Sequence, residues 1–170
     1  GSVYGIKDEE QVTEELELIP ISTYNKTKMI SERVILSYSQ KIKTHVIRPA
    51  TVCGYSPRMR LDVSVNVLTY QALTRNAMTI FGGKQIRPNI HIEDLAEVYI
   101  HFLNNFKIPS GCYNAGFENI SIETIAKKII EFLPNVSLDF KKSNDVRSYR
   151  LNSDKLKNTG YLPKKNVDNA

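Results

Sequence analysis

Apolar positions along this chain repeat with two different periods. From Tyr24 to about Ile42 there is neither Gly nor Pro, and Ile30, Val34 and Tyr38 recur at the spacing of one helical face, so a helix is expected from Ser22 or Thr23 onward. Further helices are expected over 63–76, over 93–105 with Leu95, Val98 and Phe102 on one face, and from a capping Ser121 through Leu133, where Pro134 ends it. Residues 152–160 read as a last short helix. Residues 44–52, with Val46 and Ile47 ahead of Arg48-Pro49, have the pattern of a buried strand followed by a loop. Residues 78–81 and 112–115 read as short strands, and the alternating 136–141 as an edge strand. The acidic, aperiodic stretch 6–20 is expected to be a surface loop, and the residues after Pro163 a ragged tail.

Strand alternating with helix predicts an α/β protein. No Gly-x-x-Gly-x-x-Gly follows a first strand, so a phosphate cradle for a dinucleotide is not visible. Only residues 44–52 suit a parallel sheet, and one such strand alone would leave its ladder groups and apolar faces uncovered. The chain is therefore expected to be a fragment, or to need a partner segment.

Composition narrows the field. With 170 residues, 41% hydrophobic and 24% charged, the chain falls in the ordinary globular range. No apolar run approaches the roughly 20 residues of a bilayer span and the first residues do not read as a signal segment, so no membrane is expected and the cytoplasm is the expected compartment. Cys53 and Cys112 stand apart with no metal-ligand spacing, which argues against both a metal and a disulfide. A net charge of +5 would suit an acidic ligand, but the lysines are scattered over helices and near the end, a pattern of solvated surface. Basic residues are not interleaved with aromatics on one face, so nucleic acid is not an expected partner.

One pair carries chemistry. Tyr24-Asn25-Lys26-Thr27-Lys28 puts a phenol and an ammonium at i and i+4, neighbours on one helix face. A positive charge beside a phenol favours its ionised form and suits it to proton exchange with a hydroxyl, while an ammonium offers three hydrogen-bond donors. Alone, the spacing arises by chance on any lysine-rich helix.

The context is more specific. Ser2-Val3-Tyr4-Gly5, Tyr24 with Lys28, Arg48-Pro49-Ala50-Thr51-Val52-Cys53-Gly54, Ser56-Pro57-Arg58-Met59-Arg60, Thr79-Ile80-Phe81-Gly82-Gly83 with Arg87-Pro88-Asn89-Ile90-His91-Ile92-Glu93-Asp94, Tyr113-Asn114-Ala115-Gly116, and Asp145-Val146-Arg147 before Asn152-Ser153-Asp154-Lys155 follow one another in order. In this order the chain resembles the NAD-dependent epimerase/dehydratase branch of the extended short-chain dehydrogenase/reductase family. The resemblance covers nearly all of the chain and implies the carboxy-terminal part of a Rossmann-type doubly wound fold plus the family's small α/β substrate-binding domain. Residues 1–60 would end the dinucleotide-binding domain and 61–170 would form mainly the substrate-binding region, with segments that interleave.

The resemblance also implies roles. Tyr24 would be the base and Lys28 the contact to the nicotinamide ribose, with Pro49, Ala50, Thr51 and Val52 beside the cofactor. Thr51, Arg58, Arg60, Asn66, Phe81, Arg87, Lys142 and Arg147 would hold a nucleotide diphosphate sugar. For Arg87 the alternative is a surface ion pair with Glu93 or Asp94. The implied cofactor is NAD, with NADP left open, and no metal is implied. The implied partners are the amino-terminal half and a second copy that pairs through the Tyr24 helix. The implied reaction is epimerisation through transient oxidation of a sugar carbon; a 4-ketoreductase, a dehydratase and a non-catalytic dimerisation module of the same fold are the alternatives. By itself the chain would be inactive, since it lacks the glycine-rich loop.

Departures from the pattern are few. Cys53 replaces a usual tyrosine and reads as a small buried apolar residue. Asn152 replaces an aspartate as a local cap, and His91 reads as a structural hydrogen-bonder. The family's catalytic Ser or Thr, four positions before Tyr4, falls outside the chain. Native Gly1 and Ser2, where 4,6-dehydratases carry acidic residues, would disfavour dehydration.

Overall fold

In a computed structural model, which describes residues 2–7, 9–143 and 148–170, a single 3-10 turn at Ser2–Tyr4 and an irregular segment lead to helix α1, Thr23–Ser37. Ser22 starts it by accepting the Asn25 N–H at 3.1 Å. The helix stops at Ser37 rather than near Ile42, and the chain continues through turns over 38–41, where the Lys41 N–H donates to the Tyr38 carbonyl at 2.8 Å.

The strand expected over 44–52 is two strands, β1 (His45–Pro49) and β2 (Thr51–Cys53). Pro49 has no N–H to give to a ladder, and the chain changes partners at Ala50. β1 pairs in parallel with β5 (Gly111–Ala115), and β2 pairs in parallel with β4 (Ile86–His91). The expectation of a strand without partners is thereby corrected. β4 was hidden from the sequence reading because Arg87, Pro88 and Asn89 interrupt its apolar run. β6 (Glu118–Ser121), antiparallel to β4, was hidden because it is short and mostly polar. β3 (Ala77–Phe81) and β7 (Ser137–Lys141) form a third, parallel pair.

Helices α2 (Ser64–Arg75), α3 (Ile92–Asn104) and α4 (Ile122–Phe132) lie close to their expected positions, and α5 (Asp154–Lys157) is a short part of the expected 152–160. Ser121 caps α4 through the Thr124 N–H at 3.0 Å. Two apolar cores result. One gathers Tyr4, Ala50, Ile90, Val98, Phe102, Tyr113 and Leu151; the other gathers Cys53, Leu68, Met78, Ile80, Ile125 and Ile129. The β2–β4 ladder contributes Ile90 to the first and Cys53 to the second, so it is the seam between them.

The residues after Pro163 are held rather than ragged. The Asp94 carboxylate, almost fully buried at the start of α3, accepts the Lys164 and Lys165 N–H groups, each at 2.9 Å, and the Tyr161 hydroxyl at 3.0 Å. Buried carboxylates need such donors, and the backbone of the tail supplies them. No described helix is long and apolar enough to cross a membrane.

Candidate active site

Tyr24 and Lys28 stand in the first half of α1. Tyr24 is 63% exposed, and the Lys28 Nζ lies 5.5 Å from the centre of its ring. Among the described residues neither the phenol nor the ammonium forms a hydrogen bond or salt bridge, so both polar ends are open to a ligand.

The pair's helix is fastened from below. Glu32, one turn beyond Lys28, is only 8% exposed and meets Arg48 of β1 at 2.7 Å. Arg48 reaches on to the Tyr4 hydroxyl at 2.7 Å, and Tyr4 donates to Asn114 Oδ1 at 2.7 Å. Burial pushes the Tyr4 phenol up to about 12, against the lowering influence of Arg48, so it stays a neutral donor. Tyr4, Arg48 and Asn114 fall within the sequence motifs without a role of their own there, and Glu32 falls in none of those motifs. The available signal was spacing: 24, 28 and 32 fall on one helical face.

Beyond Arg48, Pro49 and Ala50 carry the chain from β1 to β2, and the Ala50 N–H is taken by the Ala115 carbonyl at 2.8 Å. Thr51 and Val52 are half-buried and lie opposite Asn89 and Ile90. At Gly54 the backbone has φ 102°, and a Cβ there would stand 2.8 Å from His91 Nε2, so only glycine fits. Asn66 shapes the loop that follows: its side-chain oxygen accepts the Gly54 N–H at 3.2 Å and its nitrogen donates to the Arg60 carbonyl at 2.9 Å. Arg58 and Arg60 are both exposed on this loop. Asp62, 2.8 Å from the Arg60 guanidinium, raises the arginine's pKa through their hydrogen bond, and Tyr24 contributes a smaller part of the same shift. Arg60 thus lies within electrostatic reach of the Tyr24 phenol.

A second group gathers around the Gly82-Gly83 turn. Phe81, 56% exposed at the end of β3, lies opposite Lys141 on β7, and the Gly82 N–H donates to the Lys141 carbonyl at 2.8 Å, which brings Lys142 alongside. Gln85 straps the turn, accepting from the Gly83 N–H at 2.7 Å and donating to the Phe81 carbonyl at 2.6 Å. Arg87, half-buried, follows on β4 opposite Ile120. The carboxylates weighed as its partners are otherwise occupied: Glu93 lies 3.4 Å from Lys165, and Asp94 holds the tail. Arg147, with Asp145 and Val146, lies outside the described residues.

His91 is a structural hydrogen-bonder: Nδ1 accepts the Glu93 N–H at 3.2 Å and Nε2 lies 3.2 Å from the Asn169 carbonyl. Asn152 caps the Asp154 N–H at 2.8 Å. Cys53 is 1% exposed and burial pushes its thiol up to about 12. Thiolate is the reactive form, so Cys53 should resist an aromatic disulfide reagent at pH 7 until urea unfolds the protein. Rapid native labelling of Cys53, located by peptide mapping, would contradict its burial.

Residues 1–116 match the family described as the NAD dependent epimerase/dehydratase family. An uncharacterized UDP-glucose epimerase of Bacillus subtilis (strain 168) is 35% identical over 95 residues, 55% of this chain and 30% of that protein. A UDP-glucose 4-epimerase of Lactobacillus helveticus is 27% identical across 100% of this chain and 59% of its own length. Among solved structures, the UDP-glucuronic acid 4-epimerase from Bacillus cereus, in complex with UDP-glucuronic acid and NAD, superposes with a TM-score of 0.83 at 29% identity, over 98% of this chain and 55% of that one. A dTDP-glucose 4,6-dehydratase from Bacillus anthracis shares the fold, with a TM-score of 0.82 at 22% identity over 99% of this chain and 56% of that one. The chain thus spans between 30% and 59% of these proteins' lengths. Its architecture is that of the Rossmann-type extended short-chain dehydrogenase/reductase enzymes. The chain belongs to the NAD-dependent epimerase/dehydratase family.

Proposed function

We propose that this chain is the carboxy-terminal part of a nucleotide-sugar epimerase that oxidises and re-reduces one sugar carbon, in which Tyr24 moves the hydroxyl proton. The carrying observation is the open Tyr24–Lys28 pair, exposed and without a hydrogen-bonding partner among the described residues. Those free polar ends fit a nicotinamide ribose and a sugar hydroxyl. Bound NAD would supply the hydride acceptor and donor. Tyr24 would take the hydroxyl proton on oxidation and return it after the keto sugar has turned. Lys28 would donate to ribose hydroxyls and favour the ionised phenol by its charge. Pro49, Ala50, Thr51 and Val52 would wall the cofactor side.

Around the sugar nucleotide, Thr51 would meet the sugar and Arg58 and Arg60 would border it, with Asn66 holding their loop. Phe81 would flank the nucleotide base, and Arg87, Lys142 and Arg147 would carry cationic donors to the diphosphate. Arginine's planar fork suits phosphate oxygens. Exposed Ile30, Val34 and Tyr38 on α1 suit a second copy of the protein as partner.

The test is a polypeptide that contains this chain together with the family's glycine-rich segment, incubated with UDP-hexoses. The expected product is the C4 epimer without net NADH; accumulated NADH with an oxidised sugar, or a 4-keto-6-deoxy sugar, would overturn the reading. In the same protein, Arg87→Ala should weaken sugar-nucleotide binding by about 1.5 to 3 kcal/mol and leave NAD affinity unchanged, as read by calorimetry. Equal losses for both ligands would point to a folding defect. The 170-residue chain alone should retain no NAD after gel filtration, because no glycine-rich turn is present for the pyrophosphate. A low-micromolar dissociation constant would show that the cofactor site has been misplaced.

A further inference from the structure

The mounting of α1 is unusual for a surface helix. Its one buried residue is the carboxylate Glu32, while Ile30, Val34, Ile35 and Tyr38 face solvent. A helix is ordinarily fixed in rotation by an apolar stripe; here half-buried Met29 makes the apolar contact with the first core, and the Ile30, Val34 and Tyr38 stripe does not. The fully buried contact beside it is ionic and forked: Arg48 Nη2 meets Glu32 Oε2 at 2.7 Å, and Arg48 Nε lies 3.2 Å from Oε1 and 3.1 Å from Oε2. A planar guanidinium facing both oxygens of a carboxylate constrains direction as well as distance. Arg48 is itself fixed by the Tyr4 hydroxyl at 2.7 Å and by the β1–β5 ladder.

Two pieces of sequence geometry give this fork a positional meaning. Tyr24, Lys28 and Glu32 follow one another at i+4, so the rotation of Glu32 about the helix axis sets that of the other two. Arg48 directly precedes Pro49, so whatever Arg48 holds is held relative to Pro49–Val52. We infer that the Glu32–Arg48 pair is the positioning element that sets the rotation and height of the Tyr24–Lys28 face against the Pro49–Val52 segment. The inference rests on the epimerase reading for its consequence in catalysis, but its structural content stands apart from it. A buried ion pair that served stability alone would be replaceable by apolar residues of similar volume. A pin that sets geometry would not be, because a misplacement of about 1 Å can cost on the order of a hundredfold in rate.

The experiment uses the polypeptide that includes the glycine-rich segment, with Glu32→Gln, Glu32→Asp as a second variant that keeps the charge but shortens the arm, and Arg33→Ala as an exposed control on the same helix. Hydrogen exchange should show faster exchange of the α1 amides in both Glu32 variants, with β4, β6 and α4 still protected. For the epimerisation, kcat should fall at least about tenfold while KM stays within about threefold, the split expected when reacting groups are misplaced and binding is kept. Arg33→Ala should change neither. Unchanged α1 exchange and unchanged kcat in both Glu32 variants would overturn the inference. So would protection lost equally from β4, β6 and α4, since the pair would then support the fold at large. If the unmodified protein makes no epimer, the function reading fails, and the exchange measurement alone decides whether the pair pins α1.

Discussion

Replacing Asn114 by alanine should lower stability by at least about 2 kcal/mol, because it leaves the Tyr4 O–H without its acceptor and the Asn152 carbonyl without its donor, while the Val12 carbonyl keeps the Asn152 N–H, and each orphaned group costs roughly 1 to 3 kcal/mol. The side chain is fully buried, accepts the Tyr4 hydroxyl at 2.7 Å, and donates to the Val12 carbonyl at 3.2 Å and the Asn152 carbonyl at 3.0 Å. It therefore ties the opening turn and the loop before α1 to the distant segment before α5, which among the described residues is joined to that loop by the Val12–Leu151 bridge. Urea denaturation is the measurement: with a slope of about 1 to 3 kcal/mol per molar, the midpoint should fall by at least about 0.7 M. A loss under about 1 kcal/mol would mean that water replaces the amide without strain.

The second large effect falls on rate rather than stability. Tyr24→Phe in the polypeptide with the glycine-rich segment should lower kcat at least about a hundredfold, the lower range for a lost general acid-base, with sugar-nucleotide affinity nearly unchanged. The phenol is 63% exposed and forms no hydrogen bond among the described residues, so its removal leaves no buried group unpaired and the melting temperature should hold. Turnover near that of the unmodified protein would reject Tyr24 as the proton carrier and send the search to other groups near the same helix.

The sequence made the helices legible because their apolar spacing survives in the structure: Val98 and Phe102 are buried on α3, and Ile125 and Ile129 on α4. Strands were read less well. β4 includes Arg87, Pro88 and Asn89, and β6 is four residues long, so neither presents the period of two on which a strand reading depends. For the site, local spacing put Tyr24 and Lys28 together and motif order picked out Arg87 and Phe81. The Glu32–Arg48–Tyr4–Asn114 network was not legible because its members are joined by tertiary contact across 16, 44 and 110 positions. The α1 face written by Ile30, Val34 and Tyr38 reads as any amphipathic helix would, yet the one residue of α1 that is fully buried is a carboxylate.

The β2–β4 ladder, three pairs from Thr51↔Asn89 to Cys53↔His91, acts as a ruler. One end of the proposed ligand path, the Tyr24–Lys28 helix, is fastened to β1 immediately before this ladder; the other, Arg87, lies two residues ahead of Asn89 on β4. Parallel pairing fixes strand separation and register without a hinge, so a molecule that bridges both ends meets a preset span. Selection among sugar nucleotides would then fall on length and on groups at the two ends, and little ordering entropy would be charged to closing the middle. A one-residue insertion between Ala50 and Cys53 would reset that span and also turn the neighbouring side chains of β2 to the opposite face of the strand.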